Sequence, residues 1–209
     1  MENPSESSSK NPRILFLPGA GGSKTFWQPV VERLRPSWER VMLGWPGFGG
    51  NPPDPAVQGM EGLLEMVLEE LERPAWLVAQ SMGGVLAMQA ALQRPERVKG
   101  IVLAATSGGV DVRGLGGVDW RPDYVADFPD APSWFVDAVT DVTDRLPSVR
   151  CPVLLLFGDA DPLSPVAVGE HLRSLLPASE LRVIPGGDHA FAHDRPEEVA
   201  ALIRGFLGG

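Results

Sequence analysis

The sequence has one cysteine, three histidines, a deficit of basic residues and no long apolar run, and each shortage closes off a class of protein. Cys151 has no partner within the chain, so the fold is not built on disulfides, and a reducing, cytoplasmic compartment is expected. It stands between Arg150 and Pro152 at the mouth of an apolar run, where a buried or half-buried inert thiol is expected. The few histidines and the one cysteine show no metal-ligand spacing, and no cofactor is expected. Lys and Arg number 18 against 27 Asp and Glu, giving a net charge of −9. That balance disfavours nucleic acid or an anionic membrane surface as partner, since both need clustered cations, and suits a small uncharged or cationic ligand. No run approaches the roughly eighteen apolar residues of a membrane span. Residues 1–12, MENPSESSSKNP, are polar and Ser-rich, contain acids and are followed by no long apolar region. They read as a disordered tail and not as a signal peptide.

What is present is an ordinary globular composition, 44% hydrophobic and 22% charged over 209 residues, which is enough chain for one sizeable core. One domain over residues 13–209 is expected. Short continuous apolar runs at Arg13–Leu17, Val41–Leu43, Trp76–Ala79, Val98–Ala105, Pro152–Phe157 and Leu181–Pro185 read as strands. Helix-forming segments separate them. One carries Phe26, Val30, Val31 and Leu34 on one side, and others run over about 59–71, to about Gln93, and from Ser164-Pro165 to about Leu176. Ser164 has the chemistry of an N-cap and Pro165 of a first helical residue. Asp194 with Glu197 has capping-box spacing at the start of the last helix. Strand–helix alternation with short loops predicts an α/β fold, a mostly parallel sheet with helices on both faces, with ligands bound beyond the carboxyl ends of the strands.

That rhythm breaks over residues 108–148, which are rich in Gly, Pro and Asp with aromatics interspersed. No strand fits there, and a short helix around Ser133–Val142 is the best local expectation. A segment of this length is read as a small lid over a relatively open site. Its aspartates outnumber Arg113, Arg121 and Arg145; they are read first as a solvated face, and secondarily as selecting a cationic group.

The chain is organised around WLVAQSMGGVLA, residues 76–87. An apolar run ends at Gln80-Ser81, and two glycines lead into a helix-forming stretch, so a serine stands at the apex of a tight strand-to-helix turn. An apex residue in strained backbone needs small neighbours two positions away on either side, and Ala79 and Gly83 meet that need. The stretch Ala79-Gln80-Ser81-Met82-Gly83 resembles the G-x-S-x-G nucleophile elbow of α/β-hydrolases, with Ala in place of the first Gly. Two further loops are similar to the same family. Pro18-Gly19-Ala20 occupies the place of the His-Gly-x oxyanion loop, with proline for histidine. Gly44-Trp45-Pro46-Gly47-Phe48-Gly49 resembles D-x-P-G-x-G, with glycine for aspartate. Segment 108–148 then falls after the strand that corresponds to the family's sixth.

The family's chain order is Ser, acid, His, and here Ser81, Asp161 and His189 supply it, each just after an expected strand. The resemblance implies Ser81 as nucleophile, His189 as base, Asp161 as the residue that orients the ring, and the backbone N–H groups of Ala20 and Met82 as an oxyanion hole. Asp159 is the competing acid and His193 the competing base, whereas His171 reads as a packing or surface residue and Asp188 as a loop residue. Trp45, Phe48, Trp120 and Trp134 are candidate substrate contacts, with plain packing the alternative for each. The implied activity is hydrolysis of a small carboxylic ester, in the manner of methyl-ester or short-acyl esterases. Thioester or C–C bond hydrolysis on the same fold is the enzymatic alternative, and a non-catalytic small-ligand binder the alternative from another class. The implied partner is a small-molecule acyl substrate, and nothing in the chain specifies an oligomeric state.

Overall fold

Runs of apolar residues with no polar alternation form strands only where both faces of a sheet are covered, and the computed structural model, which describes residues 11–208, has that arrangement. Most of the expected tail, residues 1–10, lies outside the described residues. The elements follow in the order β1 (Arg13–Leu17), α1 (Gln28–Val31), β2 (Glu39–Met42), α2 (Met60–Glu70), β3 (Ala75–Gln80), α3 (Met82–Gln93) and β4 (Val98–Ala104). After β4 come α4 (Arg121–Asp127), α5 (Trp134–Asp137), β5 (Val153–Gly158), α6 (Val166–Leu175), β6 (Ser179–Ile184), α7 (Phe191–Asp194) and α8 (Pro196–Gly208). The sheet order is β2-β1-β3-β4-β5-β6, and every pairing is parallel. Among the described residues no helix is long and apolar enough to cross a membrane.

Alternate side chains of each central strand enter two separate cores. Leu15, Leu77, Leu103 and Leu155 pack beneath α2, α3 and α6, while Phe16, Val78, Val102 and Leu154 pack beneath α1 and α8. Each fully buried Leu, Ile or Phe of this kind contributes about 1.5–3 kcal/mol. α3 is apolar nearly all round because it lies between the sheet and a second layer, with Leu86, Ala87, Met88 and Ala90 fully buried. Parallel register lines up the carboxyl ends of the strands, pairing Leu17 with Ala79, Gln80 with Ala104, Ala104 with Leu156 and Gly158 with Ile184. All the loops that follow these strands therefore open along one edge. At the opposite edge the β3–β4 register shifts, from Ala75 opposite Val98 to Trp76 opposite Gly100, so Lys99 is an extra residue in β4. Gly100 is needed there, since a Cβ would lie 2.2 Å from the Trp76 ring.

Local expectations are corrected in four places. Between β1 and β2 only Gln28–Val31 is helical, with single hydrogen-bonded turns on either side, and Val30, Val31 and Leu34 are still buried. In the connection between β4 and β5, the helix expected over Ser133–Val142 stops at Asp137, where Ala138 turns extended. A helix that the sequence reading does not anticipate, α4, forms instead with Pro122 in its first turn, where a missing N–H costs nothing. Ser164 does not cap α6: its amide and that of Leu163 are donated to Asp161 Oδ1, and extended Pro165 precedes the helix. Asp194 ends α7 instead of opening α8, and Glu197 accepts from Arg33 at 2.8 Å.

Candidate active site

Ser81 sits between β3 and α3 with φ 50° and ψ −121°, in the region that residues with a Cβ rarely occupy. Such a conformation costs on the order of 1–3 kcal/mol and persists only where its surroundings over-determine it. Both main-chain groups of Ser81 are tied down. Its N–H donates to Ala104 O at 3.1 Å, and its carbonyl accepts from Gly84 N at 2.9 Å and from Thr106 Oγ1 at 2.6 Å. Thr106 is itself fully buried and follows Ala105, the other non-glycine residue at positive φ (47°) among the described residues. Two strained residues thus stand at the ends of neighbouring strands, and the residue after the second carries the hydroxyl that fastens the first. Gly83 lets the helix start abut β1, because a Cβ there would lie 2.6 Å from both Leu17 O and Pro18 O.

His189, from the loop after β6, places Nε2 3.0 Å from Ser81 Oγ and Nδ1 2.9 Å from Asp161 Oδ2. A carboxylate only accepts, so Nδ1 carries the proton and Nε2 offers its lone pair to the serine hydroxyl. The Asp161 side chain is wholly buried, whereas the His189 ring is 27% exposed. The second oxygen of Asp161 accepts from the amides of Leu163 (2.8 Å) and Ser164 (3.1 Å), which satisfies a charge that burial would otherwise penalise. Gln80, buried beside the nucleophile, donates from Nε2 to the His189 carbonyl at 3.1 Å and steadies the base through its backbone. Ser81, His189 and Asp161 form a Ser-His-Asp triad.

The competing residues are employed elsewhere. Asp159 Oδ1 accepts from the Gly186 amide. His193 donates from Nδ1 to Phe26 O at 2.8 Å with its ring beside Phe26, and Asp188 closes a local turn onto Ala190 N. His171 lies within α6.

The loop after β1 runs against the elbow, since a Cβ on Gly19 would stand 3.0 Å from Ser81 Cβ. Proline replaces the family's histidine here, and the bracing comes from side chains of other segments. Trp27 Nε1 donates to Leu17 O (3.0 Å), Trp45 Nε1 to Pro18 O (2.9 Å), Tyr124 Oη to Ala20 O (3.0 Å) and Asn51 Nδ2 to Gly22 O (2.8 Å). Ala20 lies half-buried in this loop, and Met82 is the buried first residue of α3.

Of the four candidate pocket aromatics, Trp45 and Phe48 have no exposed surface. Trp45 braces the loop, and Phe48 meets Trp134 and Phe135 edge-on at 5.7 and 5.5 Å. Trp120 is half-buried, 4.9 Å from Phe135. Trp134, also half-buried, lines a groove of about 590 Å³ with Gln89 and Arg145, and no triad residue borders that groove. Tyr124 joins Trp120 and Phe135, and burial pushes its phenol up to about 12. The sequence reading assigns roles to neither Thr106 nor Tyr124, and both act through contacts between distant segments. Among the described residues no group of three His, Cys, Asp or Glu side chains is placed to hold a metal ion.

The profile of the alpha/beta hydrolase family matches residues 14–202. The chain is 25% identical to a pimeloyl-[acyl-carrier protein] methyl ester esterase of Vibrio vulnificus, over 97% of both proteins. It is 27% identical to the polyketide synthase ThaQ of Burkholderia thailandensis, over 95% of this chain but only 12% of the synthase. Among solved structures, a membrane phospholipase A described as a bacterial virulence factor superposes with a TM-score of 0.79 at 26% identity, covering 97% of this chain and 80% of the other.

Proposed function

The chain belongs to the alpha/beta hydrolase family, and on that premise we propose that it is a serine hydrolase that cleaves a small carboxylic ester through an acyl-enzyme intermediate. The observation that carries this reading is the unbroken hydrogen-bonded line from Ser81 Oγ through His189 to Asp161. The Ser81 hydroxyl attacks the acyl carbonyl and passes its proton to His189 Nε2. Asp161 stays ionised and stabilises the imidazolium. The carbonyl oxygen becomes an oxyanion held by the amides of Ala20 and Met82, each donor contributing about 3 kcal/mol. The positive end of α3, where Met82 lies, favours the same charge. Collapse expels the alcohol, protonated by His189, and a water activated by the same ring then releases the acid.

The methyl ester esterase among the relatives supports a small alcohol portion. Residues 108–148 act as a small lid, with Trp120 and Trp134 as its substrate contacts and Trp45 and Phe48 backing the site. A reducing, cytoplasmic setting belongs to the same reading, since the one cysteine has no second cysteine in the chain with which to form a disulfide.

A fluorophosphonate probe tests the chemistry. Labelling of the wild type that disappears in Ser81→Ala supports a nucleophilic serine, and an unlabelled wild type refutes it in favour of a binding protein. Nitrophenyl esters of graded chain length, run beside acyl-CoA thioesters, test the substrate class. Faster thioester turnover would overturn the ester assignment.

A further inference from the structure

The loop after β1 contains Gly19, Gly21 and Gly22, so its backbone has little stiffness of its own. The carbonyls of Leu17, Pro18 and Gly22 are fixed by Trp27, Trp45 and Asn51, all from chain that lies within the first 51 residues. Ala20 differs. Its carbonyl is held by Tyr124, which lies 104 positions away on α4. That helix is otherwise turned to solvent, with Val125 54% exposed and Phe128, just past its end, 40% exposed. The Tyr124 ring is fixed in turn by Trp120 at 5.5 Å, Phe128 at 4.9 Å and Phe135 at 5.2 Å.

We propose that Tyr124 is a positioning residue: by holding the Ala20 carbonyl it pins the Ala20–Gly21 peptide, which adjoins the oxyanion-binding amide of Ala20 across one Cα, and so couples the seating of α4 to catalysis. The plane of that amide is tied on its other side by Gly22 N, which donates to Gly19 O at 2.9 Å. The inference rests on the proposed role of Ala20 in the oxyanion hole. The phenol is suited to the task because burial raises its pKa to about 12, which keeps the donor proton in place throughout any neutral or mildly alkaline range. The restrained amide meets full negative charge only in the transition state, so loosening it slows turnover without weakening substrate binding.

Tyr124→Phe removes the hydroxyl and keeps the ring contacts, so the fold is retained. With a short nitrophenyl ester, kcat is expected to fall about tenfold, a part of the roughly 10²–10³ lost when an oxyanion donor is deleted outright. KM should stay unchanged. Affinity for a trifluoromethyl ketone, which forms a tetrahedral oxyanion on the serine, should fall by the same factor as kcat, and amide hydrogen exchange across Gly19–Gly22 should speed up. An unchanged kcat, or a raised KM at constant kcat, overturns the proposal while leaving the hydrolase reading intact. A wild type inert toward every ester refutes the hydrolase reading instead. The exchange measurement then still decides the restraint, and unchanged exchange in Tyr124→Phe overturns it.

Discussion

Replacing Thr106 with valine deletes one buried hydroxyl at nearly constant shape. The hydroxyl donates to Ser81 O at 2.6 Å and accepts from Gly108 N at 3.1 Å. In the variant the Ser81 carbonyl keeps Gly84 N, but the buried Gly108 amide loses this acceptor. An unsatisfied buried donor costs about 1–3 kcal/mol, and the lost bond to Ser81 about 1 kcal/mol more, partly offset by the added methyl group. Stability is therefore expected to fall by about 2 kcal/mol. The effect on the site is separate. The elbow stores on the order of 1–3 kcal/mol of strain, and one of the three bonds that hold it is gone. A displacement of Ser81 Oγ by about 1 Å is worth roughly 10²-fold in rate. With Ala104 O and Gly84 N still in place, a loss of about 10- to 100-fold in kcat is expected, at unchanged KM. The assay pairs a urea melt with the rate of fluorophosphonate labelling of Ser81, and Thr106→Ser should restore both. A Thr106→Val protein that loses the stability but labels at the wild-type rate would refute the claim that this hydroxyl holds the nucleophile in place.

Asp161→Asn keeps an oxygen for the Leu163 and Ser164 amides but turns an N–H donor toward His189, forcing the wrong tautomer. The urea midpoint should hardly move while kcat falls about 10⁴-fold, and a loss below about tenfold would contradict the assigned role. Gly83→Ala drives a Cβ into the Leu17 and Pro18 carbonyls, backbone atoms that cannot swing aside. It should destabilise by about 1–3 kcal/mol and abolish labelling, and a fully active, stable variant would refute the close approach. Burial raises the Cys151 thiol to about 11, so the group ionises only as pH climbs toward that value. At pH 8 about one thiol in a thousand is thiolate, so disulfide-exchange reagents should modify the folded protein far more slowly than the urea-unfolded chain; equal rates would contradict this.

The strands were legible because burial on both faces writes itself as unbroken runs such as Ile14–Leu17 and Val153–Phe157. The triad was legible because the strained apex needs Ala79 and Gly83 as small neighbours, and because each partner stands in a loop that follows a strand of a parallel sheet. The rest depends on residues meeting across the fold. Thr106 follows β4 like any residue opening a loop, and only the pairing of Gln80 with Ala104 brings its hydroxyl beneath Ser81. Tyr124 sits on a seven-residue helix with no buried residue, too short and too polar to announce itself by periodicity. Ser164 and Asp194 show local capping chemistry being overruled: extended Pro165 takes the place before α6 that the first would have filled, and α7 absorbed the second.

The extra residue in β4, Lys99, lies at the end of the sheet remote from Ser81, and from Gly100 onward the strand keeps step with β3 through to Ala104 opposite Gln80. Its removal would set Val98 and Gly100 side by side against Ala75 and Trp76 with no bulge between them. The rows from Ile101 to Ala104 would stay as they are, and residue 106 would still come to rest under the serine. An indel at that far margin is thus absorbed where it falls, and the machinery at the other end is insulated from it.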